Sequence, residues 1–220
     1  MQDLYKQVWQ MLDLSQPVGV GTGRTVEAWL KYGYEHGYKL EQALPSSKRS
    51  AELLKSYGVL LLDLQTCPKV DFYIDSADEV DVNGYCIKGG GGAMTFEKII
   101  CSIAREFVCM VHEKKLKSCL GDFPLAIEVL PAARSYVGRQ LLKIGADPVY
   151  REGWVTDSGN IIIDAYGLDF TDPAALEQKL DSMLAVVGHG LFVKNSAAVI
   201  FTLDEKTGQI KKIEKKQNSL

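Results

Sequence analysis

The stretch Val70–Glu97 reads VDFYIDSADEVDVNGYCIKGGGGAMTFE, and the order of residue types in it decides how the chain folds. Val70 to Ile74 is a short apolar run rich in β-branched and aromatic residues, the pattern of a strand. Asp75, Asp78 and Glu79 follow where that run ends. Asp81, Asn83 and Gly84 read as turn chemistry, and Tyr85–Ile87 as a short strand leading to Lys88. Four glycines, Gly89–Gly92, are too many for a helix or a central strand and suit a place where a ligand must approach the main chain. Met94–Ile103 reads as a helix with Phe96, Ile99, Ile100 and Ile103 on one face and Glu97 in its first turn. Three carboxylates, an ammonium and an open backbone loop thus gather past the end of a strand, where open α/β sheets place their sites.

Working outward toward the amino end, Asp3–Leu14 reads as an amphipathic helix and Val18–Val20 as a strand. The strand runs into Gly21-Thr22-Gly23-Arg24-Thr25, and helical sequence follows from Val26 to Tyr34. Strand, glycine-rich turn and helix offer free backbone N–H groups to an anion. Thr22 and Thr25 add hydroxyls, and Arg24 a charged fork that matches phosphate. The turn is neither a dinucleotide GxGxxG nor a GxxxxGK[ST] loop, and a tight βα turn explains its glycines equally well. Tyr38–Leu44 reads as a strand, Pro45-Ser46-Ser47 as a break with helix caps, Ser50–Tyr57 as a helix and Val59–Leu62 as a strand. Repeated strand–helix units argue for a parallel sheet and an α/β fold.

Toward the carboxyl end, Phe107–Val111 reads as a strand. Lys114, Lys115 and Lys117 after it read as a solvated charge run, with anion binding as the sharper alternative. Leu125–Val129, Ala132–Ile144, Pro148–Thr156, Asn160–Ala165, Asp172–Met183 and Val186–Val193 read β-α-β-β-α-β, with a hairpin signal at Asp157-Ser158-Gly159. That order fits a split βαβ sandwich. The expected division is a catalytic unit of residues 1–121, to which 197–220 return through strands at Ala197–Leu203 and Ile210–Ile213, and a smaller unit of residues 122–196. The Lys206–Lys216 segment reads as a solvated rim.

Composition excludes several classes. The chain is 46% hydrophobic and 24% charged, enough apolar residue for a sizeable core. A net charge of -3 leaves no basic excess for nucleic acid. Cys67, Cys86, Cys101, Cys109 and Cys119 are odd in number and show no CxxC spacing, so they read as reduced thiols of a cytoplasmic protein. A Cys/His nucleophile pair with His112 is the alternative reading. No run has membrane length, and the amino end lacks signal-peptide order.

Chemically, an anionic sugar with its phosphate at Gly21–Thr25 would present its other end to the central stretch. Lys88 and the glycine N–H groups would stabilise an enolate-like oxygen, and Glu97 would move a proton between neighbouring carbons. Asp75 and Asp78 would hold hydroxyls or shuttle protons, their proximity raising the pKa of one. Such an isomerase needs neither metal nor redox cofactor, although a hydrolase could use the same carboxylates on water. Each residue also has a bland reading: Glu97 as a helix-start acid, Lys88 as a surface lysine paired with Asp75, Asp78 and Glu79 as loop solvation.

Asp75-Ser76-Ala77-Asp78-Glu79 and Lys88-Gly89-Gly90-Gly91-Gly92-Ala93-Met94, with Glu97, closely resemble type A ribose-5-phosphate isomerases. So do Gly21-Thr22-Gly23, Leu44-Pro45-Ser46-Ser47, Phe123-Pro124-Leu125 through Glu128-Val129, Pro131, Arg134, Arg139, Val155–Asn160 and Gly190-Leu191-Phe192. The resemblance implies a Rossmann-like domain with a ferredoxin-like one. It implies cofactor-free interconversion of ribose 5-phosphate and ribulose 5-phosphate through an enediolate, in the non-oxidative pentose phosphate pathway, by a homodimer or tetramer. By the same resemblance Glu97 is the base, Lys88 and the following backbone steady the enediolate, Asp75 assists ring opening, and Asp78 binds hydroxyls or handles protons. Gly21, Thr22, Gly23, Arg24, Thr25, Ser76, Ala77, Gly89, Gly90 and Gly91 complete the substrate site. Three departures stand out: Arg24 replaces a serine, the segment before Val18 is short so that Lys6 does not align with the family's first-helix lysine, and Asp122 replaces a lysine before Phe123. Arg24 is expected to supply phosphate charge lost elsewhere. A non-catalytic sugar-phosphate sensor and an isomerase of another sugar phosphate remain as alternatives.

Overall fold

The computed structural model describes residues 1–215. In chain order the elements are α1 (Gln2–Trp9), β1 (Val18–Val20), α2 (Arg24–Glu35), β2 (Gln42–Pro45), α3 (Lys48–Ser56), β3 (Leu60–Leu61), β4 (Val70–Asp75), β5 (Glu79–Asp81), β6 (Cys86–Ile87), α4 (Met94–Ser102), β7 (Ala104–His112), β8 (Leu116–Lys117), β9 (Leu125–Val129), α5 (Arg134–Lys143), β10 (Asp147–Tyr150), β11 (Ile161–Tyr166), α6 (Pro173–Asp181), β12 (Val186–His189), β13 (Leu191–Phe192), β14 (Val199–Leu203) and β15 (Ile210–Glu214).

Seven strands form one sheet in the order β15-β14-β7-β4-β1-β2-β3, parallel throughout except at β14–β15. Its central strands are covered on both faces, as parallel strands require. Phe72 and Ile74 of β4 pack with Trp29 and Leu30 of α2, while Tyr73 packs with Ile100 of α4. Trp9 of α1 stacks on Trp29 with ring centroids 4.4 Å apart and donates its indole N–H to the Trp29 carbonyl (3.0 Å). β1 has β2 on one flank and β4 on the other. The strand order therefore proceeds outward from β1 on both sides, to β2 and β3 on one and to β4, β7 and β14 on the other, and the loops after β1 and β4 part to open a crevice at the carboxyl ends of these parallel strands.

A second, antiparallel sheet has the order β10-β11-β9-β12 and is built from the expected β-α-β-β-α-β run. A third sheet, β13-β6-β5-β8, was not anticipated, because its strands are two or three residues long. The expected single strand Val186–Val193 breaks at Gly190 into β12 and β13, which belong to different sheets. Gly190 accepts from Lys88 N–H (2.8 Å) and donates to the Ala126 carbonyl (2.8 Å). A Cβ there would lie 1.9 Å from the Lys88 carbonyl oxygen, so only glycine permits this crossing.

Other expectations shift at their edges. α1 stops at Trp9, short of Leu14. The strand expected over Tyr38–Leu44 forms only from Gln42 to Pro45. Pro148–Thr156 is strand only to Tyr150, and Arg151–Val155 leave the sheet before the Asp157-Ser158-Gly159 turn, which Thr156 N–H closes on the Asn160 carbonyl (2.9 Å). The buried face of α4 is Met94, Glu97, Ile100 and Cys101, while Ile99 is exposed; a polar site lies beneath the first turn, so the acid and not Phe96 faces inward. Lys216 and the rest of the expected return segment beyond residue 215 lie outside the described residues.

Candidate active site

The loops after β1, β4 and β6 build the crevice together with the first turns of α2, α3 and α4. After β1, Gly21 donates to the Ile74 carbonyl (2.9 Å), which ties the first loop to the end of β4. A Cβ on Gly21 would sit 2.0 Å from the Asp75 carboxyl carbon, so this glycine makes room for the acid. The Thr22 hydroxyl donates to Ser47 Oγ (2.7 Å) and lies 2.9 Å from Ser46 Oγ; Ser47 in turn caps α3 in a capping box with Ser50. Gly23 is the N-cap of α2 and supplies no side-chain cap, so the first-turn N–H groups of α2 stay open to an anion.

Asp75 and Tyr73 share one face of β4, by the two-residue period of a strand. The Tyr73 hydroxyl donates a short hydrogen bond to Asp75 Oδ2, and Ser76 N–H donates to Oδ1 (2.7 Å). Lys88 Nζ reaches Asp75 Oδ2 at 2.7 Å, the Ser76 carbonyl at 2.5 Å and Glu97 Oε2 at 3.2 Å. All three charged side chains are buried. Burial pushes the Glu97 carboxyl up to about 8; Lys88 holds the rise back and Asp75 adds to it. For Lys88, burial works against the charge, but Asp75 and Glu97 outweigh it and the ammonium titrates above its ordinary range. Tyr73 is also raised, by burial and then by Asp75, so it stays a donor.

In front of this row lies a cleft of about 290 Å³. Arg24, Arg49, Lys88 and Lys115 line it together with two carboxylates, Asp78 and Glu97, an excess of cations that suits an anionic ligand. Asp78 accepts from Gly90 N–H (2.8 Å). Lys115, expected to be solvated, instead turns inward and donates to the Ala77 carbonyl (2.6 Å), whereas Lys114 is exposed and Lys117 pairs with Asp122 (2.8 Å).

Of the residues singled out from sequence, Thr22, Gly23, Arg24, Thr25, Ser76, Ala77, Asp78, Lys88, Gly89, Gly90, Gly91 and Glu97 all border this cleft. Gly21 and Asp75 stand behind its wall. Glu79 is buried away from it and accepts from Gly121 and Phe123 N–H (2.7 Å each), which makes it a structural residue and not loop solvation. Lys6 lies on the exposed side of α1 and is not part of the cleft lining. His112 sits beside Glu205, and all five cysteines are free thiols, three of them buried. Sequence reasoning missed Arg49 and Tyr73; for Tyr73 the strand period was the available signal. No described helix is long and apolar enough to cross a membrane.

A buried carboxylate with a raised pKa, an ammonium beside it and a cationic far end define an enzyme that moves protons on a small anion. The chain belongs to the ribose 5-phosphate isomerase A (phosphoriboisomerase A) family, whose model matches residues 42–206. Ribose-5-phosphate isomerase A of Legionella pneumophila (strain Corby) is 47% identical over 180 residues, 82% of this chain and 83% of the relative. The crystal structure of ribose 5 phosphate isomerase A from Neisseria gonorrhoeae superposes with a TM-score of 0.93 at 35% identity, covering 98% of this chain and 96% of that one. A D-ribose-5-phosphate isomerase in complex with phospho-erythronic acid gives a TM-score of 0.90 at 29% identity, covering 97% and 96%. The chain is thus an isomerase of ribose 5-phosphate with a Rossmann-like and a ferredoxin-like part. Neither a non-catalytic sensor nor an isomerase of another sugar phosphate finds support in these likenesses.

Proposed function

We propose that ribose 5-phosphate lies along the cleft with its phosphate at the first turn of α2 and its C1–C2 end beside Glu97. The α2 amides, Thr25 and the Arg24 and Arg49 guanidiniums take the phosphate. Glu97 removes the proton from C2 and returns it to C1, leaving a cis-enediolate between the two steps. Lys88 and the Gly89–Gly91 backbone stabilise the enediolate oxygen as charge develops there. Asp78, which faces the cleft, handles the sugar hydroxyl during ring opening. Asp75 acts through Lys88, since its oxygens are already engaged by Tyr73, Lys88 and Ser76. The observation that carries this reading is the buried Lys88–Glu97 contact of 3.2 Å with a Glu97 carboxyl raised to about 8, which places the base near the working pH of a neutral cell.

The test is Glu97→Gln. It should still bind phospho-erythronic acid while turnover of ribose 5-phosphate falls about 10²–10⁴-fold, the usual span for a general base. Near-normal turnover would remove Glu97 from the role. The same reading has the protein working in the cytoplasm as a homodimer, with a tetramer as the other outcome of light scattering. It divides the chain into residues 1–121 with 197–220, and 122–196.

A further inference from the structure

Arg151 follows β10 at the point where the chain leaves the small antiparallel sheet, and its backbone N–H still bonds the Ile162 carbonyl of that sheet (2.9 Å). Its side chain is only 16% exposed. Nε donates to Asp164 Oδ2 (2.8 Å) and Nη2 to Asp164 Oδ1. That two-point grip leaves Nη1 aimed at the glycine loop, where it donates to the Gly89 carbonyl (3.0 Å). Gly92 N–H reaches the same oxygen (3.0 Å).

The Gly89 carbonyl and the Gly90 N–H are the two ends of one planar peptide group. The N–H end donates to Asp78 Oδ2 (2.8 Å), and Asp78 borders the cleft. Fixing the carbonyl end therefore fixes the direction of the donor that holds Asp78. Four consecutive glycines have the largest conformational freedom a chain can offer, and amides that stabilise developing charge work only if they are already oriented. The oriented loop needs an anchor from outside itself, and a guanidinium locked on a carboxylate is a stiff one.

We propose that Arg151, held by Asp164, is a positioning residue that orients the Gly89–Gly90 peptide and through it both Asp78 and the loop amides. The proposal rests on the reading of the glycine loop as part of the reacting site. Arg151 does not line the cleft, so its loss acts on the chemical step and not on phosphate binding.

The experiment compares Arg151→Lys with the double variant Arg151→Met, Asp164→Asn, which leaves no unpaired buried carboxylate. Lysine keeps the charge but lacks the fork needed to hold Asp164 and Gly89 together. Both variants should keep KM for ribose 5-phosphate within about threefold while kcat falls at least about tenfold, the pattern of an interaction made in the transition state. Hydrogen exchange at the Gly90 amide should quicken in both. Arg151→Ala should regain part of its lost kcat on adding guanidinium at millimolar concentration, whereas the wild type should not respond. Unchanged kcat, a rise in KM with kcat kept, or unfolding of both variants would each overturn the proposal, the last by making Arg151 a purely structural residue. Wild-type turnover alongside an inactive Glu97→Gln tests the site reading separately, so the two failures are distinguishable.

Discussion

Glu97 occupies a helix position that would ordinarily carry an apolar side chain, since Met94, Ile100 and Cys101 share its buried face. The desolvation this imposes is what raises its carboxyl to about 8. A base must be deprotonated to act, so kcat/KM of the wild type should climb with pH through about 8 before any later fall. Kinetics from pH 6 to 9.5 would show this limb, and a profile flat above pH 6 would contradict the assignment. Gly21 is a second residue whose role is spatial. Gly21→Ala would push a methyl into the Asp75 carboxylate, 2.0 Å away. Overpacking of this kind costs about 1–3 kcal/mol, and here it also shifts the partner of Lys88. Loss of most turnover with a lowered Tm is expected; a fully active, equally stable Gly21→Ala would mean the acid can move aside freely.

Among the elements, α2 was legible because β1, a glycine turn and an amphipathic run stand in sequence order, and Arg24 is its first residue. β4 and the loop after it were legible for the same reason: local order placed charge just past an apolar strand. The β-α-β-β-α-β run was legible from periodicity, since each strand pairs with a partner in the same segment. What sequence order does not encode is which distant residue turns inward. Lys115 sits in a lysine-rich turn that resembles solvated surface, and the parallel pairings of β7 beside β4 and of β8 beside β5 bring it over the Ala77 carbonyl. Arg49 enters the cleft because α3 starts next to the Thr22 loop, and Arg151 reaches the back of the glycine loop because a strand from another sheet ends beside Gly89. The open α2 terminus yields its own prediction. Arg24→Ala should raise KM for ribose 5-phosphate about tenfold, the scale of one lost charge-assisted hydrogen bond, and lower kcat much less. An unchanged KM would leave the phosphate to the amides, Thr25 and Arg49 alone.

At the scale of the whole molecule, α4 is gripped from both sides. Its Glu97 faces Lys88, Asp75 and Asp78 in the large sheet's crevice, while Lys98, the next residue, meets Glu177 of α6 (3.3 Å), His189 of β12 (3.2 Å) and the Leu191 carbonyl (2.6 Å). His189 also contacts Asp181 (2.9 Å). Burial, and then Lys98, lower the His189 pKa from 6.5 to about 4, so the ring is neutral where it joins the two parts. Glu97 and His189 tilt stability in opposite directions with pH. Glu97 is raised on folding from 4.5 to about 8, so its contribution is full below 4.5 and is lost as pH rises through 8. His189 is depressed on folding, so its contribution is full above 6.5 and is lost as pH falls toward 4. Between 4.5 and 6.5 the two slopes oppose each other, and from 6.5 to 8 only the Glu97 loss remains. Glu97→Gln should therefore remove the alkaline decline in Tm and uncover an acid-side rise between pH 4 and 6.5. His189→Gln should do the reverse, leaving a decline from 4.5 to 8. Melting curves of the two variants against the wild type over this range test the pair, and two variants with the same pH slope as the wild type would show that neither group changes its proton affinity on folding.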